Sequence, residues 1–256
     1  MSVAPAIAQV IAALAVPPDA LIEQRVPKKL LLEQGAPTPG DKRQIQDGVE
    51  ELYWIAALKP TNIGVPEYRD STREYLEIAI LTLTLRQKAK APRLIELVHR
   101  AIPYPVVLMT TQDNGVNLSL AHKRFSQGEA GRSVIEDLRS TTLLQHIDPT
   151  PQETAFLGNA AIAKLKSENL FTLYQGWIDR VVTLDASRIT GVFQPPESAE
   201  EATAQRANLD AHVKIKRDIA MLRSQAEKEK QVARRVELNL EIRKLEVELA
   251  ETTSNI

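Results

Sequence analysis

Three carboxylates in the first third of the sequence have residue types and surroundings that could bind Mg²⁺. Glu50 lies in a predicted helix, Asp70 in a predicted loop and Glu77 on a predicted central strand. Carboxylate oxygens are the ligands that Mg²⁺ prefers, and a bound cation can activate a water molecule for hydrolysis. The three residues are therefore candidates for a metal-dependent hydrolytic site.

The predicted order of elements around these carboxylates is helix–strand–strand–helix–strand, the order found in restriction-type nucleases. Such sites also need a lysine that orients the attacking water. The position two residues after Glu77, where that lysine is required, is Ala79. We therefore assign no catalytic residue, and an atypical or degenerate metal-dependent nuclease is the alternative interpretation.

The other residue types that commonly carry chemistry are absent or dispersed. The chain has no Cys, and no two of its four histidines lie within one helical turn of each other: His99, His122, His146 and His212. The glycines form neither a dinucleotide fingerprint nor a P-loop, and there is no G-x-S-x-G sequence. The sequence therefore predicts no metal site and no cofactor.

One stretch is locally basic although the whole chain is nearly neutral, with 32 basic and 33 acidic residues. A net charge of −1 gives no global attraction to nucleic acid, so any such contact must be local. We expect a phosphate-contacting patch formed by Arg86, Lys88, Lys90, Arg93, Arg100, Lys123 and Arg124. The alternative is a solvated rim at the end of a strand.

The elements that would position these residues form a mixed α/β (α+β) domain over residues 1–196, with a central sheet flanked by helices. Helices are predicted at 3–16, 39–52, 91–101, 151–166 and 170–189. Strands are predicted at 53–58, 75–85, 106–111 and 116–125, with a further edge strand within 132–145. Apolar residues on both faces of 75–85 predict a central strand covered on both sides. Asp113-Asn114-Gly115 predicts a hairpin turn.

No apolar run reaches the roughly 20 residues that a membrane helix needs. The N-terminal apolar run, residues 3–16, also lacks the basic start of a signal peptide. Together with the absence of Cys, these features predict a cytoplasmic protein.

Residues 197–256 contain neither Gly nor Pro and consist of strong helix formers. A continuous helix over 200–250 would be roughly 75 Å long, too long to bury its apolar rows on its own domain. We therefore expect an extended helix or coiled coil that docks onto another chain, and a hairpin that folds near 227–231 is the alternative. The predicted partner-binding residues are Ile215, Ile219, Leu222, Val236, Leu240, Leu245 and Leu249.

Several segments, taken together and in order, resemble the bacterial and archaeal family known as Domain of Unknown Function 4391. They are residues 26–31, 55–63, 75–80, 101–105, 118–124, 174–177 and 227–239. The last of these, which ends in Val236-Glu-Leu-Asn, is the most distinctive. The resemblance implies no catalytic residue.

Members of that family typically occur beside helicases and DNA methyltransferases of restriction-like or phage-defence systems. The resemblance therefore implies, by analogy, a non-catalytic accessory or adaptor subunit of such an assembly. The expected partner is a helicase or methyltransferase subunit, or a second copy bound through the C-terminal helix. A stand-alone DNA-binding module that uses the basic patch is a further alternative.

Overall fold

The computed structural model describes residues 5–112, 115–128, 133–145, 147–254 and 256. The chain divides into two compact units, Met1–Val181 and Val182–Ile256. The sequence predicts a boundary after residue 196, whereas the second unit begins at Val182, within a helix. Among the described residues, no helix is both long enough and apolar enough to cross a membrane.

The described residues form nine strands and nine α-helices. The strands are β1 (Leu21–Arg25), β2 (Val49–Leu58), β3 (Tyr68–Arg69), β4 (Glu74–Tyr75), β5 (Ile78–Leu85), β6 (Val106–Gln112), β7 (Gly115–Phe125), β8 (Ser133–Ser140) and β9 (Leu144–Gln145). The helices are α1 (Pro5–Leu14), α2 (Lys28–Leu30), α3 (Pro39–Gly48), α4 (Pro60–Ile63), α5 (Ala91–Ala101), α6 (Pro151–Gly158), α7 (Leu170–Thr190), α8 (Ala199–Lys228) and α9 (Val232–Ser254).

Seven strands form one mixed sheet in the order β1-β2-β5-β6-β7-β8, with β9 also paired to β7. Only β5 and β6 run parallel among these pairs, and α5 makes the crossover between them. All the other neighbouring strands are antiparallel. The structure confirms the predicted fold class, a mixed sheet flanked by helices.

The central strand β5 is buried on both faces, as its apolar pattern predicts. On one face, alternate residues of β5 pack with the buried sides of α3 and α5 in a continuous apolar cluster. On the other face, Tyr174 of α7 donates a 2.7 Å hydrogen bond from its hydroxyl to the carbonyl oxygen of Val106 in β6. Helices therefore cover both faces of the sheet in the first unit.

The predicted helix 91–101 is confirmed as α5, and the predicted hairpin strands are confirmed as β6 and β7. Residues Asp113 and Asn114 of the predicted turn lie outside the described residues. The predicted helix 39–52 is too long, because residues 49–52 belong to β2, where Val49 pairs with Leu85. The predicted helix 151–166 is also too long: it ends at Gly158, and of the remaining residues only Ile162–Lys164 form a short 3₁₀ helix.

The C-terminal segment is two helices rather than one, so the predicted continuous helix is wrong. Helix α8 ends at Lys228 and α9 begins at Val232. Their apolar residues form one cluster, and Arg223 of α8 forms a 2.7 Å ion pair with Glu246 of α9. The segment is therefore an antiparallel helical hairpin.

Candidate functional site

The three candidate carboxylates lie too far apart to share a metal ion. Glu50 is the second residue of β2, whose first residue pairs with the last residue of β5. Glu77 directly precedes the first residue of β5. Eight strand residues at about 3.3 Å each therefore separate their levels along the sheet, roughly 26 Å.

Glu77 and Asp70 each interact with residues near them. Glu77 forms a 3.2 Å ion pair with Lys59. Asp70 lies between β3 and β4, where its Oδ1 accepts hydrogen bonds from the hydroxyl and the backbone N–H of Thr72. The hydrogen bond from the Thr72 side chain is the largest of several contacts that lower the pKa of Asp70.

No group of three or more His, Asp or Glu side chains suited to a metal ion occurs within the described part of the chain. His146 lies outside that part. The geometry therefore brings none of Glu50, Asp70 and Glu77 together, and the nuclease alternative has no assembled site among the described residues.

The predicted basic patch is divided between paired and unpaired cations. The guanidinium of Arg93 donates two hydrogen bonds to Asp41, at 2.8 and 2.9 Å, and a third to Glu96 at 2.7 Å. These contacts raise the pKa of Arg93, and the hydrogen bonds from Arg93 are the main reason that the pKa of Asp41 falls to about 2. Arg100 shares Glu96 at 4.0 Å, while Arg124 pairs with Glu136 at 3.2 Å.

Lys123 is not on the surface, because only 5% of the residue is exposed. Its Nζ donates hydrogen bonds to the carbonyl oxygens of Ile102 and Tyr104, which follow the last turn of α5. Burial lowers its pKa to about 7. Lys123 therefore cannot contact a phosphate from this position, and the prediction for this residue is wrong.

The remaining three members of the patch are exposed in the loop between β5 and α5: Arg86, Lys88 and Lys90. Two of them line a cleft of about 310 Å³ against the C-terminal half of α3. The other lining residues are Arg43, Gln44, Asp47, Gly48, Gln87, Ala89 and Leu94. Of the predicted patch, only the three cations of this loop are exposed and without an ion pair among the described residues. The structure adds Arg43 of α3, which sequence spacing did not connect with the loop.

A buried polar network that the sequence did not predict lies under α7. The hydroxyl of Tyr75 is hydrogen-bonded to Nδ1 of His122, and Nε2 of His122 lies 2.7 Å from Oε1 of Gln175. Gln175 in turn donates a 2.8 Å hydrogen bond from its amide nitrogen to Asp179. Because the amide oxygen of Gln175 can only accept, Nε2 of His122 carries a proton. Because Tyr75 is fully buried, we interpret the network as a structural link between the sheet and α7.

The hairpin covers most of the predicted partner-binding row. Ile215, Ile219 and Leu222 of α8 are 5–7% exposed and pack against α9. Leu245 and Leu249 of α9 are half-buried against the same cluster. The expectation that these five residues need another chain to cover them is wrong, because the second half of the segment covers the first.

A second apolar row on α9 remains exposed. We call it the outer stripe, and its four members are more than half exposed: Val232 (65%), Val236 (51%), Leu240 (61%) and Val247 (62%). Two of them, Val236 and Leu240, belong to the predicted partner-binding set. At 100° per residue the outer stripe points away from the buried row of α9, so the hairpin cannot cover both rows.

A groove of about 530 Å³ runs beside the outer stripe. Val236 and Leu240 form part of its wall, and the Arg223–Glu246 ion pair lies at its side. Arg243 also lines the groove and has no ion pair among the described residues. The surface thus combines apolar side chains with one uncompensated cation.

A family model described as Domain of unknown function (DUF4391) matches residues 14–249 of the 256 residues. No curated protein and no solved structure matches the chain significantly.

Proposed function

We propose that this chain, which belongs to the DUF4391 family, is a cytoplasmic, non-catalytic accessory subunit of a helicase- and DNA-methyltransferase-containing defence assembly. It docks onto a protein subunit of that assembly through the outer stripe of α9. The exposed outer stripe is the observation that carries the proposal, and the partners are those that the family resemblance implies. Burying four such side chains contributes on the order of 1–2 kcal/mol each before the costs of association.

The spacing of the outer stripe fits a helix from the partner. Three of its members, Val236, Leu240 and Val247, form one row with Ala233 and Arg243. In the order Ala233, Val236, Leu240, Arg243 and Val247, the intervals are three, four, three and four residues. This is the heptad spacing at which one helix inserts its side chains between those of another. The proposed partner element is therefore an amphipathic helix, which would complete a three-helix arrangement with α8 and α9.

The charge on the outer stripe favours a different protein over a second copy. Parallel pairing of two stripes would place Arg243 against Arg243. Antiparallel pairing that overlays Val236–Val247 on itself would place each Arg243 against Leu240. Either arrangement buries a cation without a partner, which is unfavourable. A partner helix with an acidic residue opposite Arg243 avoids this cost.

The test is affinity purification of the full-length protein from its native operon, followed by identification of the proteins that co-elute. We expect a helicase or methyltransferase subunit with the natural sequence and its loss from the double variant Val236→Glu/Leu240→Glu. The control is Val213→Glu/Met221→Glu, which changes two exposed apolar residues on α8 and should retain the partner. All these side chains are exposed, so the thermal stability of both variants should stay close to that of the natural sequence.

The proposal is overturned if no such subunit co-elutes, or if both double variants retain the partner equally. Size-exclusion chromatography with light scattering then distinguishes self-association from binding to a different protein. A dimer that the Val236→Glu/Leu240→Glu variant converts to a monomer would assign the outer stripe to self-association instead.

A further inference from the structure

Five cations gather at one end of the sheet without an ion pair among the residues that the structure describes. They come from three segments: Lys28 of α2, Arg43 of α3, and Arg86, Lys88 and Lys90 of the loop between β5 and α5. Paired surface cations are common elsewhere in the first unit, as at Arg93 and Arg124. Positive charge without a carboxylate partner is therefore concentrated at this end of the sheet.

Arg86 and Lys28 each donate a hydrogen bond to a backbone carbonyl oxygen at the junction of α3 and β2. The backbone N–H of Arg86 donates a 2.8 Å hydrogen bond to the carbonyl oxygen of Gly48. The Nζ of Lys28 donates to the carbonyl oxygen of Val49. Burial lowers the pKa of Lys28, and the positive charges of Arg86 and Arg25 lower it further. The like charges are thus close enough to repel one another.

The nearby carboxylates do not balance this charge. Asp47 lines the cleft beside α3, and the negative charge of Glu50 raises the pKa of Lys28. Glu51 is already within 3.6 Å of Arg25. Two carboxylates therefore face five cations, and an anion bound here would relieve the repulsion.

Two clefts lie at this junction and differ in charge. The cleft of about 310 Å³ is lined by the cations Arg43, Lys88 and Lys90 and the carboxylate Asp47. The second cleft, of about 290 Å³, is lined by two cations, Arg25 and Lys28, and two carboxylates, Glu50 and Glu51. Gly48 lies at the base of the first cleft, where a Cβ would meet Leu94 Cδ1 at 2.7 Å. The cleft thus presents three cations, Arg43, Lys88 and Lys90, on one concave surface.

From this arrangement we infer that the cleft between α3 and the loop before α5, with Arg86 and Lys28 near it, binds backbone phosphates of a nucleic-acid duplex. Cations from three segments can each contact a different phosphate of one strand. The residues that line the two clefts include no aromatic side chain. Single-strand binding sites rely on aromatic stacking of bases, so contact with the backbone of a duplex is the better fit.

The test is fluorescence anisotropy of the full-length protein with a labelled 20-base-pair duplex DNA between 50 and 200 mM salt. Contact with about four phosphates predicts a slope of log K against log salt of about −3.6, which is a loss of roughly 150-fold in affinity over this range. The triple variant Arg86→Gln/Lys88→Gln/Lys90→Gln removes three contacts, so its slope should fall in magnitude by about 2.7.

A matched control separates a local site from the general effect of charge. The variant Lys214→Gln/Arg217→Gln/Lys244→Gln removes the same charge from exposed positions of the helical hairpin and should bind like the natural protein. Equal loss in the two triple variants would overturn the inference, as would binding that does not depend on salt. Two competition experiments complete the test. Displacement of the duplex by millimolar inorganic phosphate at constant ionic strength, or tighter binding of a single strand than of the duplex, would also overturn it.

Discussion

Lys123 makes a quantitative prediction because its amino group is buried without a carboxylate. Only 5% of the residue is exposed, and its Nζ contacts two carbonyl oxygens at the end of α5. Burial lowers its pKa from 10.5 to about 7. Between these two values the unfolded chain binds a proton at Lys123 that the folded chain does not bind.

This difference makes the stability of the first unit rise with pH. The free energy of unfolding increases with pH wherever the unfolded state binds more protons, by at most about 1.4 kcal/mol per pH unit for one site. Between pH 7.5 and 9.5 the gain is roughly 2 kcal/mol. Below pH 7 both states carry the proton, so this contribution to the pH dependence disappears.

The perturbation is Lys123→Met, which replaces the side chain by an unbranched apolar one that is one atom shorter and carries no charge. The loss of hydrogen bonds to the Ile102 and Tyr104 carbonyls costs about 1–3 kcal/mol, and removal of the buried charge offsets part of that cost. At pH 9.5 the natural protein should exceed the variant in unfolding free energy by roughly 2 kcal/mol more than it does at pH 7.5. Comparison at two pH values cancels every titration that the two proteins share.

Urea titration followed by tryptophan fluorescence measures the free energy of unfolding of the first unit, because both tryptophans, Trp54 and Trp177, lie in that unit. Lys214→Met, at an exposed position of α8, serves as the control and should show no such pH-dependent difference. If the difference between the natural protein and Lys123→Met is the same at both pH values to within 0.5 kcal/mol, the burial argument for Lys123 is wrong.

Two further substitutions test the packing of each unit. Gly35→Ala places a Cβ 2.6 Å from the backbone oxygen of Leu97 and should lower the free energy of unfolding, measured by urea titration, by about 1–3 kcal/mol. Gly128→Ala, whose Cβ would have no atom of the described residues within 4 Å, should be neutral. An equal effect of the two would contradict the close approach. Ile219→Ala removes a side chain from the seam of the hairpin and should cost about 2–4 kcal/mol in a helix-melting experiment by circular dichroism, while Leu240→Ala should change stability by less than 0.5 kcal/mol. A large effect of Leu240→Ala on the isolated chain would mean that the outer stripe is already covered.

Most of the first unit follows from patterns that are local in the sequence. Residues 91–101 form a helix because their apolar residues recur at helical spacing, and residues 78–85 form a central strand because both of their faces are apolar. The start of β2 was not predictable in this way. Ile45, Val49 and Leu52 have helical spacing, but pairing of Val49 with Leu85, 36 residues away, places the second half of that pattern in the sheet.

The candidate site residues were harder to place, because a charge pattern does not reveal which charges are already paired. Arg93 belongs to the predicted patch by sequence, yet Asp41, 52 residues away, occupies its guanidinium. Lys123 follows two residues after Ala121 on β7, a strand that is buried on both faces over most of its length. A lysine in such a strand must enter the interior. Burial of the whole strand, rather than the type of one residue, was the available signal.

The hairpin was predictable from a feature of the sequence that heptad spacing alone conceals. Ala226 and Leu238 each lie six residues from position 232, Leu222 and Ile242 ten, and Ile219 and Leu245 thirteen. Rows that mirror one another about a centre meet when the chain folds back there. On one straight helix, the 12 residues from Ala226 to Leu238 would rotate the second row by about 120° away from the first. No glycine or proline marks the turn, and the side chain of Glu229 instead accepts a 2.8 Å hydrogen bond from the backbone N–H of Gln231. The row that does continue the heptad phase of α8 is the outer stripe, which is why the same residues that suggested an extended helix are the ones left free to bind a partner.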